Sequence, residues 1–389
     1  MPAGFVFEIR QDRSPRQEDK ALNTVLPVKA GNAFAYQIVI EDSFDGIAQA
    51  LEPLDLRERR VCIVTDDTVE KLYAAELTRL LSPCCRQVFL YSFPAGEKSK
   101  NVEQVQEMYR FFLECGLDRS DVLVALGGGV TGDMTGYAAA TYLRGIRFVQ
   151  VPTTLLAQVD SSIGGKTGVD FEGYKNMIGA FYMPSLVYIN IRTLKTLSDE
   201  QFACGMGEVL KHGLIRDASY YEWTIENMFE IQAREPQILM QMVRRSCEIK
   251  RSVVEKDPTE KGERALLNFG HTIGHAIEKL KNFTMLHGQC VSLGMVAAAR
   301  ISWKRGLIDD GEFYEIRDMN VGFELPISFD GLKAEDILAA TKKDKKMNGD
   351  HVRFILLKKI GKAFIDETVT DEEMLEAIRS MDAELWANE

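Results

Sequence analysis

Short, continuous runs of β-branched and aromatic residues recur through the first half of the chain and predict β-strands. The runs are Tyr36–Ile40, Val61–Thr65, Val88–Tyr91, Val122–Leu126, Phe148–Val151 and Leu186–Ile191. Stretches with helical spacing lie between several of them, at Val69–Leu81, Val102–Cys115 and Asp133–Tyr142. Continuous apolar strands separated by helices predict a mostly parallel sheet that is covered on both faces.

The pattern changes after residue 195, where long helical periods replace the strands. The predicted helices are Asp199–Leu214, Tyr220–Gln232, Pro236–Val254, Thr272–Lys281, Gln289–Arg305 and Asp371–Met381. Val352–Leu357 and Lys362–Ile365, around Gly361, predict a small hairpin. We therefore predict an α/β domain over 31–195 and a mainly α-helical domain with a small hairpin over 196–389. Residues 1–30 are predicted to form an N-terminal arm.

Composition excludes several classes of protein. Of 389 residues, 46% are hydrophobic, so a largely disordered chain is excluded. The net charge of −11 argues against a nucleic-acid or anionic-membrane surface. No apolar run approaches the ~20 residues of a membrane span, and the polar start of the chain predicts no signal peptide. The seven cysteines lack CxxC spacing, which predicts reduced thiols in the cytoplasm.

A glycine-rich turn suggests a nucleotide. Gly127, Gly129 and Gly132 match GxGxxG between a predicted strand and a predicted helix, where a pyrophosphate can approach the backbone and the helix N-terminus. The acidic residue expected about 20 positions later is missing, and Asp66 beyond another strand is the alternative ribose ligand. A plain tight turn is the competing interpretation. A P-loop at Gly165–Thr167 is excluded because Asp160 stands where its first glycine belongs.

Clustered histidines suggest a divalent metal. His271 and His275 are four residues apart on one helix face, which suits two imidazoles on Zn²⁺, and His287 follows shortly after. A zinc protease is excluded because Thr272 replaces the glutamate of HExxH. Structural histidines remain the alternative. Glu208 offers a carboxylate, although its spacing from Lys211 is also typical of a solvated salt bridge.

Several cationic residues lie in segments that also carry Gly or Asn: Lys166, Lys175, Lys250, Arg264 and Lys345. In an acidic protein such a set favours a small anionic substrate, a carboxylate or a phosphate. The residues alone thus predict a cytoplasmic NAD-type enzyme with a histidine-bound divalent metal and an anionic substrate. They leave the reaction open.

Six longer segments together resemble the 3-dehydroquinate synthase family, within the sugar-phosphate cyclase group. They are Leu126–Asp133, Val151–Ser162, Gly164–Thr167, Lys175–Phe181, Arg264–Thr272 and Asp344–Lys346. The resemblance covers nearly all of 36–366. It implies a Rossmann-like N-terminal domain, a helical C-terminal domain, NAD, Zn²⁺ (or Co²⁺) and a homodimer. Tyr174, Gly207 and the Pro258-Thr259 pair depart from the family pattern.

The resemblance also implies roles for individual residues. It makes Glu208, His271 and His287 the metal ligands, whereas spacing alone favours His271 with His275. It implies five catalytic residues: His275, Glu260, Lys166, Lys250 and Asn176. The implied cofactor contacts are Asp66, Glu97, Lys100, Gly129, Val130, Thr131, Gly132, Asp133, Thr153, Thr154, Lys166, Lys175, Thr193, Leu194, Lys195 and Thr196. The implied substrate contacts are Arg144, Asp160, Lys166, Asn176, Lys211, Lys250, Arg264, Asn268, His275, His287 and Lys345.

The implied reaction belongs to the shikimate pathway of aromatic amino acid biosynthesis. It converts 3-deoxy-D-arabino-heptulosonate 7-phosphate into 3-dehydroquinate and phosphate through transient oxidation, elimination, re-reduction and aldol closure. Three alternatives stay open: a sibling cyclase with another sugar phosphate, a metal-dependent NAD alcohol dehydrogenase, and a protein without catalytic activity. A dehydrogenase has no need of the cationic set and accumulates NADH.

Overall fold

The apolar runs of the first half form one sheet. The computed structural model describes residues 24–31, 33–345 and 353–383, without the side chains of 343–345. Within this part of the chain the strands before residue 200 are β1 (Thr24–Ala30), β2 (Ala33–Glu41), β3 (Arg60–Asp66), β4 (Gln87–Phe93), β5 (Val122–Gly127), β6 (Arg147–Pro152), β7 (Lys166–Phe171), β8 (Tyr174–Phe181) and β9 (Leu186–Asn190). The main sheet has the order β1-β2-β9-β6-β5-β3-β4. Its strands pair in parallel except for β1 with β2, which confirms the predicted mostly parallel sheet.

Helices cover this sheet and dominate the second half, as predicted. Among the described residues the helices of the first half are α1 (Ile47–Leu51), α2 (Asp67–Val69), α3 (Ala75–Leu81), α4 (Val102–Glu114) and α5 (Gly129–Thr141). Those of the second half are α6 (Asp199–Arg216), α7 (Ala218–Glu226), α8 (Met228–Gln232), α9 (Pro236–Lys256), α10 (His271–Leu280), α11 (His287–Lys304), α12 (Asp310–Gly322), α13 (Ala334–Lys345) and α14 (Asp371–Arg379). The predicted late hairpin consists of β10 (Phe354–Lys359) and β11 (Lys362–Asp366).

One strand of the main sheet lies within the predicted N-terminal arm. Thr24–Ala30 forms β1, which pairs with β2 in antiparallel fashion and buries Leu26 and Val28. Pro27 hides this strand from a sequence pattern, because proline cannot donate to a ladder. An edge strand tolerates the missing donor. Residues 1–23 of the predicted arm lie outside the described residues.

The hairpin β7–β8 is missing from the predicted elements, although it carries two of the recognised motifs. Its two-residue turn, Glu172-Gly173, has positive φ at both positions, which is the geometry of a type I′ turn. Gly168 faces Gly179 across the hairpin, and a Cβ on Gly179 would lie 2.2 Å from the carbonyl oxygen of Thr167. These glycines break the alternation that identifies a strand, so the signal is weak.

Two further differences concern the helical half. The single helix predicted over Tyr220–Gln232 is broken at Asn227 into α7 and α8. Helices α12 and α13 are missing from the prediction. The larger apolar cluster joins β1, β2 and β9 to α6, α9, α10 and α11, so one core connects the edge of the sheet with the helices. Across the described ranges, no helix has the length and apolar character needed to span a membrane.

Close packing of α10 against α11 sets the position of both histidine-bearing helix starts. His271 opens α10 directly after Gly270, which has φ +80°, and His287 opens α11. A Cβ on Gly294 of α11 would lie 1.7 Å from the carbonyl oxygen of Gly270. Only a glycine permits this approach, and it brings the two histidines together.

Candidate active site and metal centre

A buried carboxylate stands between two imidazoles. Oε1 of Glu208 on α6 lies 3.8 Å from Nε2 of His271 and 3.8 Å from Nε2 of His287. Two ligands of a tetrahedral Zn²⁺ at the usual bond lengths are about 3.4 Å apart, so the three groups are close to the spacing of a metal site. Ligand atoms of His271, His275 and His287 also lie within 4.8 Å of one another.

The carboxylate of Glu208 fits a metal ligand because it is otherwise poorly satisfied. Its side chain is 1% exposed, and neither oxygen has a hydrogen-bond partner among the described residues. Lys211, one turn along α6, forms an ion pair with it, but the geometry is not that of a hydrogen bond. A buried carboxylate whose charge is balanced by one ion pair alone still has free lone pairs, which a divalent cation could use.

The histidines are held in the form that binds metals. Nδ1 of His271 lies 3.2 Å from the carbonyl oxygen of Phe269, and Nδ1 of His287 lies 3.5 Å from Oε2 of Glu278. Each imidazole thus turns Nδ1 to an acceptor and Nε2 toward Glu208, as metal-ligating histidines do. Burial, together with Lys211 and the neighbouring histidines, lowers the pKa of His271 well below its usual value. His271 is therefore neutral at pH 7, and its Nε2 can donate a lone pair to a metal.

A second cluster lies beside Glu208 and alternates cations with carboxylates. Lys250 of α9 pairs with Asp160, which sits in the π-helical turn Ala157–Ser161. Burial lowers the pKa of Lys250 to about 8, and Asp160 opposes the shift only in part. Burial works to raise the pKa of Asp160, but Lys250 and Lys211 outweigh it and hold that pKa well below the usual range. The cluster has cationic groups for a polyanionic substrate.

The loop after α9 adds Glu260 and Arg264 to this cluster. The carboxylate of Asp257 accepts from the backbone N–H groups of Lys261, Gly262 and Arg264, and this fixes the loop. Glu260 pairs with Lys166 of β7 and accepts from Nδ2 of Asn268 at 3.1 Å. Burial works to raise the pKa of Glu260, but these contacts lower it overall. Glu260 is therefore ionised at neutral pH and has the form of a base.

Arg264 is wholly buried and spans the two parts of the chain. Its guanidinium donates to the carbonyl oxygen of Pro258 at 2.7 Å and to that of Gly164 at 3.1 Å. Both acceptors are backbone groups, so this residue also holds the loop against the segment before β7.

The predicted cofactor contacts gather at the carboxyl ends of the parallel strands. Asp66 ends β3 and caps α2, while Gly127 and Gly128 lead from β5 into α5. The chain reverses its direction across the sheet between β3 and β5, and ligands of such sheets bind at that switch point. Thr153 follows β6 at the same edge, and its buried hydroxyl has no hydrogen-bond partner among the described residues.

Lys100 and Lys175 tie the hairpin β7–β8 to this edge. Nζ of Lys100 donates to Asp133 of α5 and to Asn176 of β8, each at 2.6 Å. Nζ of Lys175 lies 3.0 Å from Glu97 and 2.7 Å from Glu278. Asn176, predicted as a substrate contact, is thus held by a predicted cofactor contact.

Not every predicted contact offers a side chain to this site. The side chains of Thr193 and Leu194 are buried, and Thr193 bonds to Gln158 and Asn190 within the protein. Arg144 ends the short turn Tyr142–Arg144 before β6. Strand β6 is six residues long, so roughly 20 Å of strand separates Arg144 from the carboxyl edge of the sheet. Within one copy of the chain, Arg144 therefore does not reach the other predicted substrate contacts. The side chain of Lys345 lies outside the described residues.

Three residues of the site are absent from the predicted set: Glu278, Asp257 and His212. Glu278 lies seven residues after His271, and such spacing puts both on one face of α10. That signal was available in the sequence. His212 is fully buried beside Asp160, at 3.7 Å, and neither ring nitrogen has a hydrogen-bond partner in the described part of the chain.

The fold and the site define a class of protein. A glycine turn at the switch point of a parallel sheet, a Glu-His-His cluster and a set of buried cations belong to a metal-dependent, nucleotide-using enzyme that acts on a small anion. Comparison with solved structures narrows this class to the sugar-phosphate cyclases. The chain is similar to ValA, a 2-epi-5-epi-valiolone synthase from Streptomyces hygroscopicus with NAD⁺ and Zn²⁺ bound, at 27% identity and a TM-score of 0.84, covering 92% of this chain and 99% of that one.

It is also similar to a 2-deoxy-scyllo-inosose synthase in complex with carbaglucose-6-phosphate, NAD⁺ and Co²⁺. The identity is 25% and the TM-score 0.83, with 92% of this chain and 100% of that chain covered. Both comparisons confirm the predicted fold. The ligands of these two proteins also bear out the predicted pair of NAD with Zn²⁺ or Co²⁺.

The family models for the 3-dehydroquinate synthase N-terminal and C-terminal parts match residues 90–204 and 205–347. The 3-dehydroquinate synthase of Acetivibrio thermocellus is 44% identical over 344 residues, which cover 88% of this chain and 95% of that protein. The 3-dehydroquinate synthase of Shewanella pealeana is 45% identical over 333 residues, which cover 84% of this chain and 92% of that protein. The chain belongs to the 3-dehydroquinate synthase family, and the predicted function, a lyase acting on phosphates, is confirmed.

Proposed function

We propose that this chain converts 3-deoxy-D-arabino-heptulosonate 7-phosphate into 3-dehydroquinate and phosphate, with its own residues in the roles given below. The observation that supports this proposal is the buried carboxylate of Glu208 between His271 and His287. It accepts no hydrogen bond from the described residues, and Lys211 and the Asp160–Lys250 pair lie beside it. When bound, NAD supplies a reversible hydride acceptor and the divalent metal a Lewis acid for the hydroxyl being oxidised.

Glu208, His271 and His287 hold the metal. The cofactor site is formed by Asp66, Glu97, Lys100, the Gly129–Asp133 segment, Thr153, Thr154, Lys175 and the Thr193–Thr196 turn. The N-terminus of α5 supports this, because its free N–H groups and dipole suit a pyrophosphate. Thr193 and Leu194 contribute through their backbone, since their side chains are buried.

Lys166, Lys250, Arg264, Asn268 and Lys345 bind the carboxylate and phosphate of the substrate. Lys250 starts from a lowered pKa and gains a proton more readily once an anion lies beside it. Glu260 in its ionised form accepts a proton. His275, which lies close to His271 and His287, acts as the second acid/base group and transfers a proton at the reacting carbon. Asp160 keeps Lys250 in place, and Asn176 contacts the substrate while its amide oxygen accepts from Lys100.

The protein is a cytoplasmic homodimer in this proposal. Seven unpaired cysteines support a reducing compartment. Arg144 supports the dimer, because a substrate contact from the far end of β6 requires a second copy of the chain. The division into domains at 195/196 also stays a prediction.

The testing experiment follows inorganic phosphate and NADH absorbance together, with the seven-carbon substrate, NAD⁺ and Zn²⁺. We expect phosphate in proportion to substrate and no lasting NADH, because the hydride returns within each turnover. Accumulating NADH would contradict the proposal in favour of a dehydrogenase. Absence of phosphate, with release from another sugar phosphate, would replace it with a sibling cyclase.

A further inference from the structure

Glu278 is a buried carboxylate for which the proposed function has no role. Its side chain is 2% exposed, and its two oxygens face different partners. Oε1 accepts from Nζ of Lys175 at 2.7 Å, and Oε2 lies 3.5 Å from Nδ1 of His287. One carboxylate therefore contacts the hairpin β7–β8 on one side and a proposed metal ligand on the other.

The contact between Glu278 and His287 determines which ring nitrogen of His287 carries the proton. Nε2 of His287 faces Glu208, so a metal bound there leaves the proton on Nδ1. Nδ1–H then needs an acceptor, and Oε2 of Glu278 lies 3.5 Å from it. His271 has only the neutral carbonyl of Phe269 in the same position. Of the two imidazoles, His287 is thus the one whose orientation and basicity depend on a charge.

The contact with Lys175 leads to the other side of the site. The same ammonium lies 3.0 Å from Glu97, in the turn after β4, and 5.2 Å from the centre of the Phe283 ring. Lys175 is shared between two carboxylates, and both pairs are partly or wholly buried. Lys175 is a cofactor contact in the proposed function, and the family resemblance implies the same role for its partner Glu97.

We propose that Glu278 is a positioning residue that makes metal binding and NAD binding depend on each other. The inference rests on the proposed function, since it needs the metal at Glu208, His271 and His287 and the cofactor at Glu97 and Lys175. Cofactor contacts that order Lys175 also fix the carboxylate of Glu278, which then holds His287 in its ligating orientation. Coupling between two equilibria is reciprocal, so the metal tightens NAD by the same factor.

The test measures the dissociation constant of Co²⁺ for the full chain by competition with a chelator, without and with saturating NAD⁺. In the unaltered protein we expect NAD⁺ to tighten Co²⁺ by about fivefold or more. In Glu278→Gln we expect Co²⁺ to bind about 10–100-fold more weakly. There NAD⁺ should change Co²⁺ binding less than twofold, and the visible bands of bound Co²⁺ should shift as His287 turns.

Lys279→Gln is the matched control. Lys279 is the next residue on α10, and its ammonium lies 4.1 Å from the centre of the Tyr174 ring, so it touches the same hairpin without meeting Glu278. This variant should keep the Co²⁺ affinity, the spectrum and the effect of NAD⁺. A loss equal to that of Glu278→Gln would overturn the inference, because general damage to the contact between α10 and the hairpin would then explain both.

Other outcomes separate the inference from the function beneath it. Unchanged Co²⁺ affinity in Glu278→Gln, or an undiminished NAD⁺ effect, overturns the positioning role. Co²⁺ affinity that ignores NAD⁺ in the unaltered protein overturns the coupling. Glu208→Gln and His271→Ala report on the proposed ligands themselves: if they bind Co²⁺ normally, the ligand set is wrong and the inference falls with it. If they lose Co²⁺ while Glu278→Gln keeps it, only the inference fails.

Discussion

Three candidate residues hold a backbone conformation that side chains other than glycine seldom adopt. Asn176, Glu260 and Arg144 have φ values of +52°, +59° and +66°. Such residues persist where their surroundings over-determine them, often at functional sites. For Asn176 the restraint is visible, because its backbone N–H donates to Asp170 and its amide accepts from Lys100. For Glu260 it is the pair of contacts with Lys166 and Asn268.

Lys250 predicts an alkaline limit to activity. Burial lowers its pKa to about 8, so above that pH the free enzyme loses a charge needed for the anionic substrate. The value of kcat/KM should fall by about tenfold per pH unit above pH 8, while kcat falls later because a bound anion favours the charged form. A pH series of initial rates of phosphate release measures both.

Lys250→Arg serves as the control for this limit. A guanidinium stays charged throughout the accessible range, so its kcat/KM, though lower, should show no loss with the same midpoint. The other charged groups facing this position are Asp160, Lys211 and Arg264. An unaltered enzyme with constant kcat/KM up to pH 9.5 would contradict the assignment.

We predict that His271→Ala loses the bound metal while the folded structure is largely kept. The side chain is largely enclosed, but its role in the core is small compared with that of the neighbouring Phe269 and Ile273. Turnover should fall by about 100-fold or more, with metal content near zero, while the melting temperature without metal stays close to that of the metal-free parent. Phosphate assays, metal analysis and thermal melts test this. Full activity would exclude His271 as a ligand.

The residues of the candidate metal site can be predicted in part from the sequence. Histidine spacing predicts His271 with His275 as ligands, whereas the family resemblance implies Glu208, His271 and His287. The structure brings all three histidines together, and the choice between the two sets stays a prediction. The spacing of Glu278 from His271 places it on the same helix face. Its contacts with Lys175 and His287, which lie on a hairpin and on a second helix, could not be predicted from the sequence.

At the scale of elements, close backbone contact between α10 and α11 predicts a sensitive glycine. Gly294→Ala adds a methyl group 1.7 Å from a backbone oxygen of Gly270, which cannot turn away as a side chain can. The two helices must separate, at a cost of about 1–3 kcal/mol or more, and the histidines at their starts move apart. Urea unfolding and metal titration should both show the loss.

Gly322→Ala is the matched control on α12. The added methyl group would meet only the tip of the Met228 side chain, at 2.8 Å, and a thioether can rearrange. Stability and metal affinity should stay near those of the parent. If Gly294→Ala behaved in the same way, the close packing of α10 on α11 would not be what positions the ligands.

The elements that the sequence revealed are those with a clear period. The parallel strands are continuous apolar runs, and α9 has a strong amphipathic pattern around its buried face. The elements it concealed depend on contacts remote in sequence. Strand β1 contains a proline that only an edge tolerates, and β7–β8 is built around paired glycines whose close approach is invisible in one dimension.

At the scale of the whole molecule, the position of Arg144 predicts exchange of residues between subunits. Arg144→Ala and Lys250→Ala should each be nearly inactive as pure proteins. Refolded as an equal mixture, they should regain about a quarter of the parent activity, because half the dimers are mixed and each has one site with both native residues. Phosphate release, with sedimentation to establish the dimer, makes the measurement. Mixtures no more active than their parts would contradict the shared site.

The first strand of the sheet also has a consequence for how the chain matures. The backbone N–H of Lys29 donates to Glu255 on α9, 226 positions later, and Arg251 reaches back to the carbonyl of Pro27. A ribosome adding about 5–20 residues per second needs roughly 10–45 s to make the interval. During that time β1 has no permanent cover for Leu26 and Val28. The nascent chain therefore exposes this edge of the sheet, and a chaperone protects the most apolar surface during this interval.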